Sequence, residues 1–287
     1  EMALATLPKL KKKFEEPGKF LMIQAEEITD KYDGNPIHVN ATNLLELILP
    51  QGGNSTHDVL QRNINAVYKQ REETGQGMLA HVNHPNFGWG IVAENLIELR
   101  GDTFFEVYNG HPAVRNWGDD AHPGTDRMWD IVLAMRLHQG LGPLFGLAVD
   151  DTHDYYKHKI GKSNPGRGWV MVKAQALNAE NIIASLEKGN FYSTTGVILE
   201  DIQINDRALT IHIREKTDVA YRTQFIGTPK QFDTSSEPVL NSMGEPAHIT
   251  RVYSNEIGQV FSETTENPAV FSFTGAEMYV RAKIISD

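Results

Sequence analysis

Short apolar runs alternate with longer amphipathic segments over the first two thirds of the chain. Runs of strand length lie at residues 20–25, 77–84, 104–109, 144–149, 169–172 and 191–196. Such runs are typical of parallel strands that are buried on both faces. The segments between them, with cap and stop residues at their ends, predict helices at residues 57–74, 93–99, 126–139 and 178–188. This alternation of strand and helix predicts an α/β fold.

The pattern changes after Gly196. Apolar and polar residues then alternate one by one, at residues 202–204, 208–214, 222–226 and 278–284. This period predicts antiparallel strands that pack on one face. We therefore expect two domains, an α/β domain at residues 1–196 and a small β-sandwich-like module at residues 197–287.

The run at residues 144–149 is followed by Asp150, Asp151, Thr152 and His153. Side chains alternate along a strand, so Asp151 and His153 are predicted to point to one side and Asp150 to the other. A carboxylate and an imidazole at the end of a buried parallel strand are typical of the active-site end of an α/β barrel. The alternative is a buried strand that ends in a polar turn.

Composition limits the classes of partner. The 287 residues carry a formal net charge of −10, which argues against a nucleic-acid backbone as partner. No apolar run approaches the roughly 18 residues of a transmembrane helix. The chain has no cysteine, which excludes thiolate metal sites. Without cysteines the sequence does not indicate the redox compartment of the protein, and export stays possible.

Metal-binding side chains follow four of the predicted strands. Nine of the eleven histidines lie between His38 and His158. The candidate groups at strand ends are Glu26 or Glu27, His84 with His81 behind it, Asn109 with His111, and Asp151 with His153. Imidazole and carboxylate suit zinc, manganese or iron. Several such ligands could hold two or more ions, as in phosphoryl chemistry.

Each candidate has an alternative role. His81 and His84 face opposite ways on an extended strand, and we favour His84 as the ligand. His38 is either a ligand or a loop residue, and His111 before a proline is either a ligand or a turn residue. Arg167, in a glycine-containing loop, is either a clamp for a phosphate or carboxylate, or the partner of a nearby acid.

These residues together resemble the PHP (polymerase and histidinol phosphatase) superfamily of metal-dependent hydrolases, in particular its CehA/McbA-like branch. The resemblance covers residues 18 to 200 approximately. The matching stretches are Ala25-Glu26-Glu27-Ile28, His84-Pro85, Glu106-Val107-Tyr108-Asn109-Gly110, Asp151-Thr152-His153 and Phe191-Tyr192-Ser193-Thr194-Thr195-Gly196.

The resemblance implies a distorted (β/α)7 barrel with up to three divalent ions (zinc, manganese or iron) at the C-terminal strand ends. The implied metal ligands are Glu27, His84, Asp151, His153 and His38. Asp151 and His153 are also the expected catalytic residues, and a metal-bound hydroxide would attack a phosphorus or acyl centre. Arg167, Asn109 and His111 are the expected substrate-binding residues.

The family's His-x-His motif on its first strand does not occur before Glu27. We therefore expect an N-terminally incomplete barrel, whose first elements lie upstream of Glu1, are disordered or have been lost. The leading hypothesis is a metal-dependent phosphoesterase acting on a small molecule. The alternatives are a carboxylester or carbamate hydrolase, and a non-catalytic binding protein on a degenerate barrel with the β module as its interaction surface. The oligomeric state is left open.

Overall fold

The computed structural model describes residues 5–101 and 104–287. Within these residues the helices are α1 (Leu7–Phe14), α2 (Thr56–Thr74), α3 (Ala93–Ile97), α4 (Thr125–His138) and α5 (Ala179–Glu187). Local capping interactions explain both ends of α2. The side chain of Ser55 accepts a hydrogen bond from the backbone nitrogen of Asp58 at the start of α2, and Gly75 ends that helix with a φ of 69°.

A five-stranded mixed sheet, in the order β1-β2-β3-β4-β5, organises the first part of the chain. Its strands are β1 (Ala25–Tyr32), β2 (Asn35–Thr42), β3 (Leu79–Val82), β4 (Phe104–Asn109) and β5 (Phe145–Val149). β2 runs antiparallel to both β1 and β3, whereas β3, β4 and β5 run parallel to one another. Only the last three strands therefore follow the βαβ pattern.

The first strand lies further along the chain than the apolar pattern predicts. The strand expected at residues 20–25 is replaced by β1 (Ala25–Tyr32), which pairs with β2 in a tight hairpin. Asp33 and Gly34, both with positive φ, form its two-residue turn. A turn of this kind matches the twist of paired strands and sets their register, so pairing continues through the polar residues of β1.

The prediction of a distorted (β/α)7 barrel is wrong. The described residues form an open mixed sheet and several small sheets, with no closed barrel. Two features of the chain stop barrel formation. The β1–β2 hairpin contributes antiparallel strands, and residues 150–168, between β5 and β6 (Trp169–Val172), contain no helix. β6 instead pairs antiparallel with β7 (Phe191–Thr194) in a separate two-stranded sheet.

The later strands pair antiparallel in three small sheets, of order β14-β9-β8, β13-β10-β15 and β11-β12. Their bounds are β8 (Leu199–Ile204), β9 (Ala208–Ile213), β10 (Tyr221–Pro229), β11 (Ser236–Glu237), β12 (Val252–Tyr253), β13 (Gln259–Thr264), β14 (Ala269–Ser272) and β15 (Glu277–Ser286). The domain boundary at residue 197 stays a prediction.

The two faces of the five-stranded sheet are covered differently. Phe105 belongs to a core with residues of α2, α3 and α4. Its neighbour Phe104 points to the other face and packs with Ile183 and Leu186 of α5. The side chains of β4 therefore alternate between the core formed with α2, α3 and α4 and the face that carries α5 and the candidate site. None of the helices in the described residues has both the length and the apolar character needed to cross a membrane.

A buried ion pair joins α4 to β15. The guanidinium of Arg281 donates from Nε and Nη2 to the two carboxylate oxygens of Asp130, at 2.8 and 2.7 Å. The hydroxyl of Tyr279 donates to Asp130 Oδ1 at 2.9 Å. Only 10% of the Arg281 side chain and 5% of the Asp130 side chain is exposed. The carboxylate therefore has few water partners and depends on these donors.

We predict that Arg281→Met destabilises the protein by about 3 kcal/mol, because it leaves the buried carboxylate of Asp130 without its cation. Urea denaturation followed by circular dichroism measures the loss. Arg222→Met is the matched control, since Arg222 pairs with Glu263 at an exposed position of β10 and should cost less than about 1 kcal/mol. Equal losses in the two variants would contradict the prediction.

Asp30 ties β1 to the neighbouring loop and to α2. Its Oδ2 accepts hydrogen bonds from Gly52 N and Asn63 Nδ2, both at 2.9 Å. Partial burial raises the pKa of Asp30, but the hydrogen bonds from Asn63, Lys31 and Gly52 outweigh burial and lower the pKa overall. The ionised carboxylate therefore stabilises the fold.

We predict that Asp30→Asn lowers the free energy of unfolding at pH 7 by about 1–2 kcal/mol, through the loss of charge-assisted hydrogen bonds. The stabilisation by Asp30 is complete above the ordinary aspartate pKa of about 3.9 and is lost as the pH falls through the lowered pKa of the folded state. Denaturation curves from pH 7 to pH 2 should show the variant and the parent converging in acid. A difference that stays constant over this range would refute the charge-based explanation.

Candidate metal centre

The pairing of β1, β2 and β3 brings three predicted metal ligands to one place. In the hairpin, Glu27 lies opposite Asn40 and Thr29 lies opposite His38. Glu27 and His38 are therefore diagonal neighbours on the same face of the sheet. His84 follows two residues after the end of β3, which pairs with the other edge of β2.

The nitrogen and oxygen atoms of this group lie close together. Nδ1 of His38 is 2.9 Å from Oε1 of Glu27, and Nε2 of His84 is 3.5 Å from the same oxygen. One ligand atom from each of the three residues lies within 4.8 Å of the others. The imidazole rings of His38 and His84 meet edge to face, with their centroids 5.0 Å apart. Glu27, His38 and His84 could therefore hold a metal ion.

The three side chains of this group differ in their exposure to solvent. The side chain of His84 is 5% exposed, that of His38 is 15% exposed and that of Glu27 is 39% exposed. The half-buried Phe87 packs against the His84 ring, with the ring centroids 5.1 Å apart. The group thus has a fixed, buried base and an open side toward solvent, from which a ligand can enter.

The electrostatics of the group favour a cation. Hydrogen bonds from His38 and His84 hold the pKa of Glu27 well below its usual range, although burial opposes them. Burial lowers the pKa of His84, but the hydrogen bond to Glu27 and the charges of Glu106 and Asp151 outweigh it and raise the pKa. The surrounding acids therefore attract positive charge, and a metal ion would take the place of a proton on the imidazole. Two imidazoles and a carboxylate are a donor set that suits zinc, manganese or iron.

A buried carboxylate, Glu106 of β4, holds the residues beneath this group. Its Oε2 accepts hydrogen bonds from the backbone nitrogen of His84 and from Nδ2 of Asn109, both at 2.8 Å. Its Oε1 lies 3.3 Å from Nε2 of His81. Burial raises the pKa of Glu106, but the interactions with His81, His84 and Asn109 lower it overall. Glu106 therefore fixes the chain at His84 as a buried anion.

Asn83 also supports the group, through hydrogen bonds to Glu27 and to the backbone of Asn40. Its Nδ2 donates to Oε1 of Glu27 at 2.8 Å, and its Oδ1 accepts a hydrogen bond from the backbone nitrogen of Asn40 at 3.1 Å. Asn83 thus orients the Glu27 carboxylate relative to β2. Sequence reasoning missed this residue, because an asparagine at a strand end is common in turns. It also missed the role of Glu106, although a lone acid within the apolar stretch Phe104-Phe105-Glu106-Val107 was a usable signal.

Asp151 and His153 lie outside the three-ligand group but close to its support. Nδ2 of Asn109 is 3.2 Å from Oδ2 of Asp151, and the charge of Asp151 acts on His84. His153 Nδ1 is 2.9 Å from the carbonyl oxygen of Asp151 and 3.5 Å from its Oδ1. Strand alternation does not extend to these residues, because β5 ends at Val149 and Asp151 has a φ of +48°. Their roles as metal ligands and catalytic residues stay predictions.

The tautomer of His153 follows from its contact with the Asp151 carbonyl. A carbonyl oxygen only accepts hydrogen bonds, so Nδ1 of His153 must donate. In the neutral ring, Nε2 then carries the lone pair. The His153 side chain is 66% exposed, and its ring meets that of His111 edge to face at 5.1 Å between centroids. His153 therefore has a ring nitrogen suited to accept a proton or bind a cation.

The remaining predicted residues line the same edge. Asn109 Oδ1 accepts a hydrogen bond from the backbone nitrogen of His111 at 2.8 Å, which shapes the turn after β4. Arg167 lies against this turn, since a Cβ added at Gly110 would stand 2.5 Å from the Cβ of Arg167. The guanidinium of Arg167 donates to the carbonyl of Lys159 at 2.9 Å. Substrate binding by Arg167, Asn109 and His111 stays a prediction.

Asp150 anchors the loop that carries Arg167. Its carboxylate accepts hydrogen bonds from the backbone nitrogens of Gly166, Arg167 and Gly168, at 2.9, 2.6 and 2.9 Å. The acid next to Arg167 thus binds the loop backbone, while the guanidinium contacts oxygen atoms of Lys159 and Asn164. The loop is held beside the candidate site by one carboxylate.

We predict that Glu106→Gln lowers the free energy of unfolding by about 1–3 kcal/mol. A glutamine amide must turn an N–H₂ group toward one of the donors that now face Glu106, which leaves buried polar atoms without partners. Thermal denaturation measures the loss. The control is Glu73→Gln at an exposed position of α2, which should change stability by less than about 0.5 kcal/mol. Unchanged stability of Glu106→Gln would show that the buried anion is dispensable.

Comparison of the chain with known proteins found no match among protein-family models, curated proteins or solved structures. The candidate centre is therefore described from the geometry of this chain alone. The resemblance to the PHP superfamily stays a prediction.

Proposed function

We propose that the protein is a metal-dependent hydrolase, and specifically a phosphoesterase that acts on a small molecule. The observation that carries the proposal is the convergence of Glu27, His38 and His84 on one point. The donor atoms are of the kinds that bind zinc, manganese or iron, and hydrogen bonds with Asn83 and Glu106 hold Glu27 and His84 in place.

A divalent ion held by Glu27, His38 and His84 would supply the positive charge that polarises a phosphoryl or acyl oxygen. The chain itself supplies the orientation of the ligands. Asn83 holds the Glu27 carboxylate, and Glu106 holds the backbone at His84. Such supporting hydrogen bonds are the usual means by which a protein fixes the geometry of its metal ligands.

The neighbouring residues suit proton transfer and anion binding. His153 presents Nε2 as a proton acceptor, and Asp151 fixes its ring through the carbonyl oxygen. Arg167 lies beside the turn that joins Asn109 to His111, with a guanidinium that can pair with a phosphoryl group. We assign general acid–base work to His153 and substrate binding to Arg167 and His111. Asn109 is buried, and its amide bonds to Glu106 and to the backbone of His111, so its part is to position the turn that carries His111.

The test begins with the full chain after dialysis against a chelator. Equilibrium dialysis and elemental analysis measure zinc and manganese binding, and hydrolysis of p-nitrophenyl phosphate and p-nitrophenyl acetate is measured with each ion. Metal-dependent turnover of the phosphate ester supports the phosphoesterase assignment. Turnover of the acetate alone would replace it with the ester or carbamate alternative. Binding of metal without turnover of either substrate would favour a non-catalytic metal-binding protein, and absence of metal binding would refute the proposal.

We predict that Glu27→Gln lowers metal affinity by at least tenfold and abolishes metal-dependent turnover, because the amide cannot supply a charged oxygen to the ion. Isothermal titration calorimetry with manganese and the hydrolysis assay check the two effects. Glu73→Gln on α2 is the matched control, since it removes an exposed carboxylate that lies outside the group. Retention of full metal affinity by Glu27→Gln would place the site elsewhere.

A further inference from the structure

A cavity of about 540 Å³ lies between the α/β part of the chain and the later strands. Val107 and Ala148 line it from β4 and β5, Leu133 and Leu137 line it from α4, and Leu209 lines it from β9. Cavities of roughly 300–1,000 Å³ with mainly apolar linings are typical of sites for small molecules. The volume is far above that of a packing defect, for which a protein interior has little room.

The cavity exists because the chain departs from the βαβ pattern. In such units a helix follows each parallel strand and covers the outer face of the sheet. Residues 150–168, which follow β5, form a loop instead. Strands β8, β9 and β15 face the uncovered part of the sheet across the gap. Three residues of β5 line the cavity, and two of them, Gly146 and Ala148, are small and leave the volume open.

Three polar side chains that line the cavity already have partners within the protein. Ser193 Oγ donates to the carbonyl of Gly146, and the hydroxyl of Tyr192 accepts from the backbone nitrogen of Leu199. Thr194 Oγ1 donates to the carbonyl of Val197. Each of these three groups therefore has a hydrogen-bond partner without a polar ligand.

The charges at the cavity are also paired. Lys283 binds Asp126, and Arg281 binds Asp130 while Trp129 lies against its guanidinium. Two cations thus face two carboxylates, so a ligand with a net charge would gain little from them. Recognition must then come from apolar contact area, for which the ligand has to be apolar and uncharged.

The cavity is separate from the candidate metal centre. Val107 lines the cavity, whereas the adjacent Glu106 points to the other face of β4 and binds His84 and Asn109. Neighbouring side chains of a strand point to opposite faces. Tyr108 also lines the cavity, next to a bulge in β4, but Glu27, His38, His84 and Glu106 do not. A ligand in the cavity would therefore not contact the candidate metal centre.

We propose that this cavity is a binding site for an uncharged apolar small molecule, held between α4, β5 and the strands of the later sheets. The proposal does not depend on hydrolytic activity. A chain without any metal binding could still bind such a ligand, and an active hydrolase could lack this second site.

The test uses the full chain and the uncharged fluorescent probe N-phenyl-1-naphthylamine. We expect saturable fluorescence enhancement with one probe per chain, and displacement of the probe by 1-dodecanol. Ala148→Leu fills the cavity from β5, and Leu137→Trp fills it from the half-buried flank of α4. Each variant should weaken probe binding by at least tenfold. Circular dichroism and thermal denaturation establish that each variant is folded.

Leu47→Ser is the matched control for binding to exposed apolar side chains. Leu47 is 74% exposed and does not line the cavity, so its replacement should change probe affinity by less than twofold. Absence of saturable binding to the parent protein would overturn the proposal. It would also be overturned by full probe affinity in a folded filling variant, or by an equal loss of affinity in Leu47→Ser.

Discussion

The register of the β1–β2 hairpin decides which side chains meet at the candidate metal centre. The Asp33–Gly34 turn makes Glu27 the partner of Asn40 and places His38 on the same face. Because strand side chains alternate with period two, a slip of one residue would carry His38 to the opposite face, away from Glu27. The hydrogen bond between Asn83 and Asn40 extends this register to the end of β3. A two-residue turn thus controls the geometry of a site that is formed by β1, β2 and the segment that follows β3.

Glu106 shows how the sheet carries a polar site within an apolar framework. Isolated burial of a carboxylate is costly, and this one is compensated by donors from His84 and Asn109 and by the nearby His81. These same contacts fix the ends of β3 and β4, where the chain leaves the sheet. The stability of the fold and the placement of the ligands therefore depend on one buried group. The side chains on the opposite face of β4 serve apolar packing and border the cavity.

The later sheets complete the molecule in a way that leaves room beside β5. The bidentate contact between Arg281 and Asp130 attaches β15 to α4 at a buried point. Residues 150–168, between β5 and β6, form no helix that could fill the space beside β5. The ion pairs between β15 and α4, together with the small residues Gly146 and Ala148 of β5, account for both the close contact and the neighbouring cavity.

Local interactions let the sequence determine the bounds of α2 and the start of α5, where Asn178 caps the helix. Residue type and position at a strand end made His84 a candidate and left Glu26 and Glu27 as alternatives. The choice of Glu27, and the addition of His38, came from the resemblance to the PHP superfamily. The prediction of a barrel was wrong, because apolar runs do not indicate which strands pair or in which direction they run. Tertiary structure alone decided that the hairpin joins the sheet antiparallel and that three of five predicted ligands converge, with Asp151 and His153 set apart. It also revealed Asn83, Glu106 and the cavity, whose roles arise from contacts between residues that are distant in sequence.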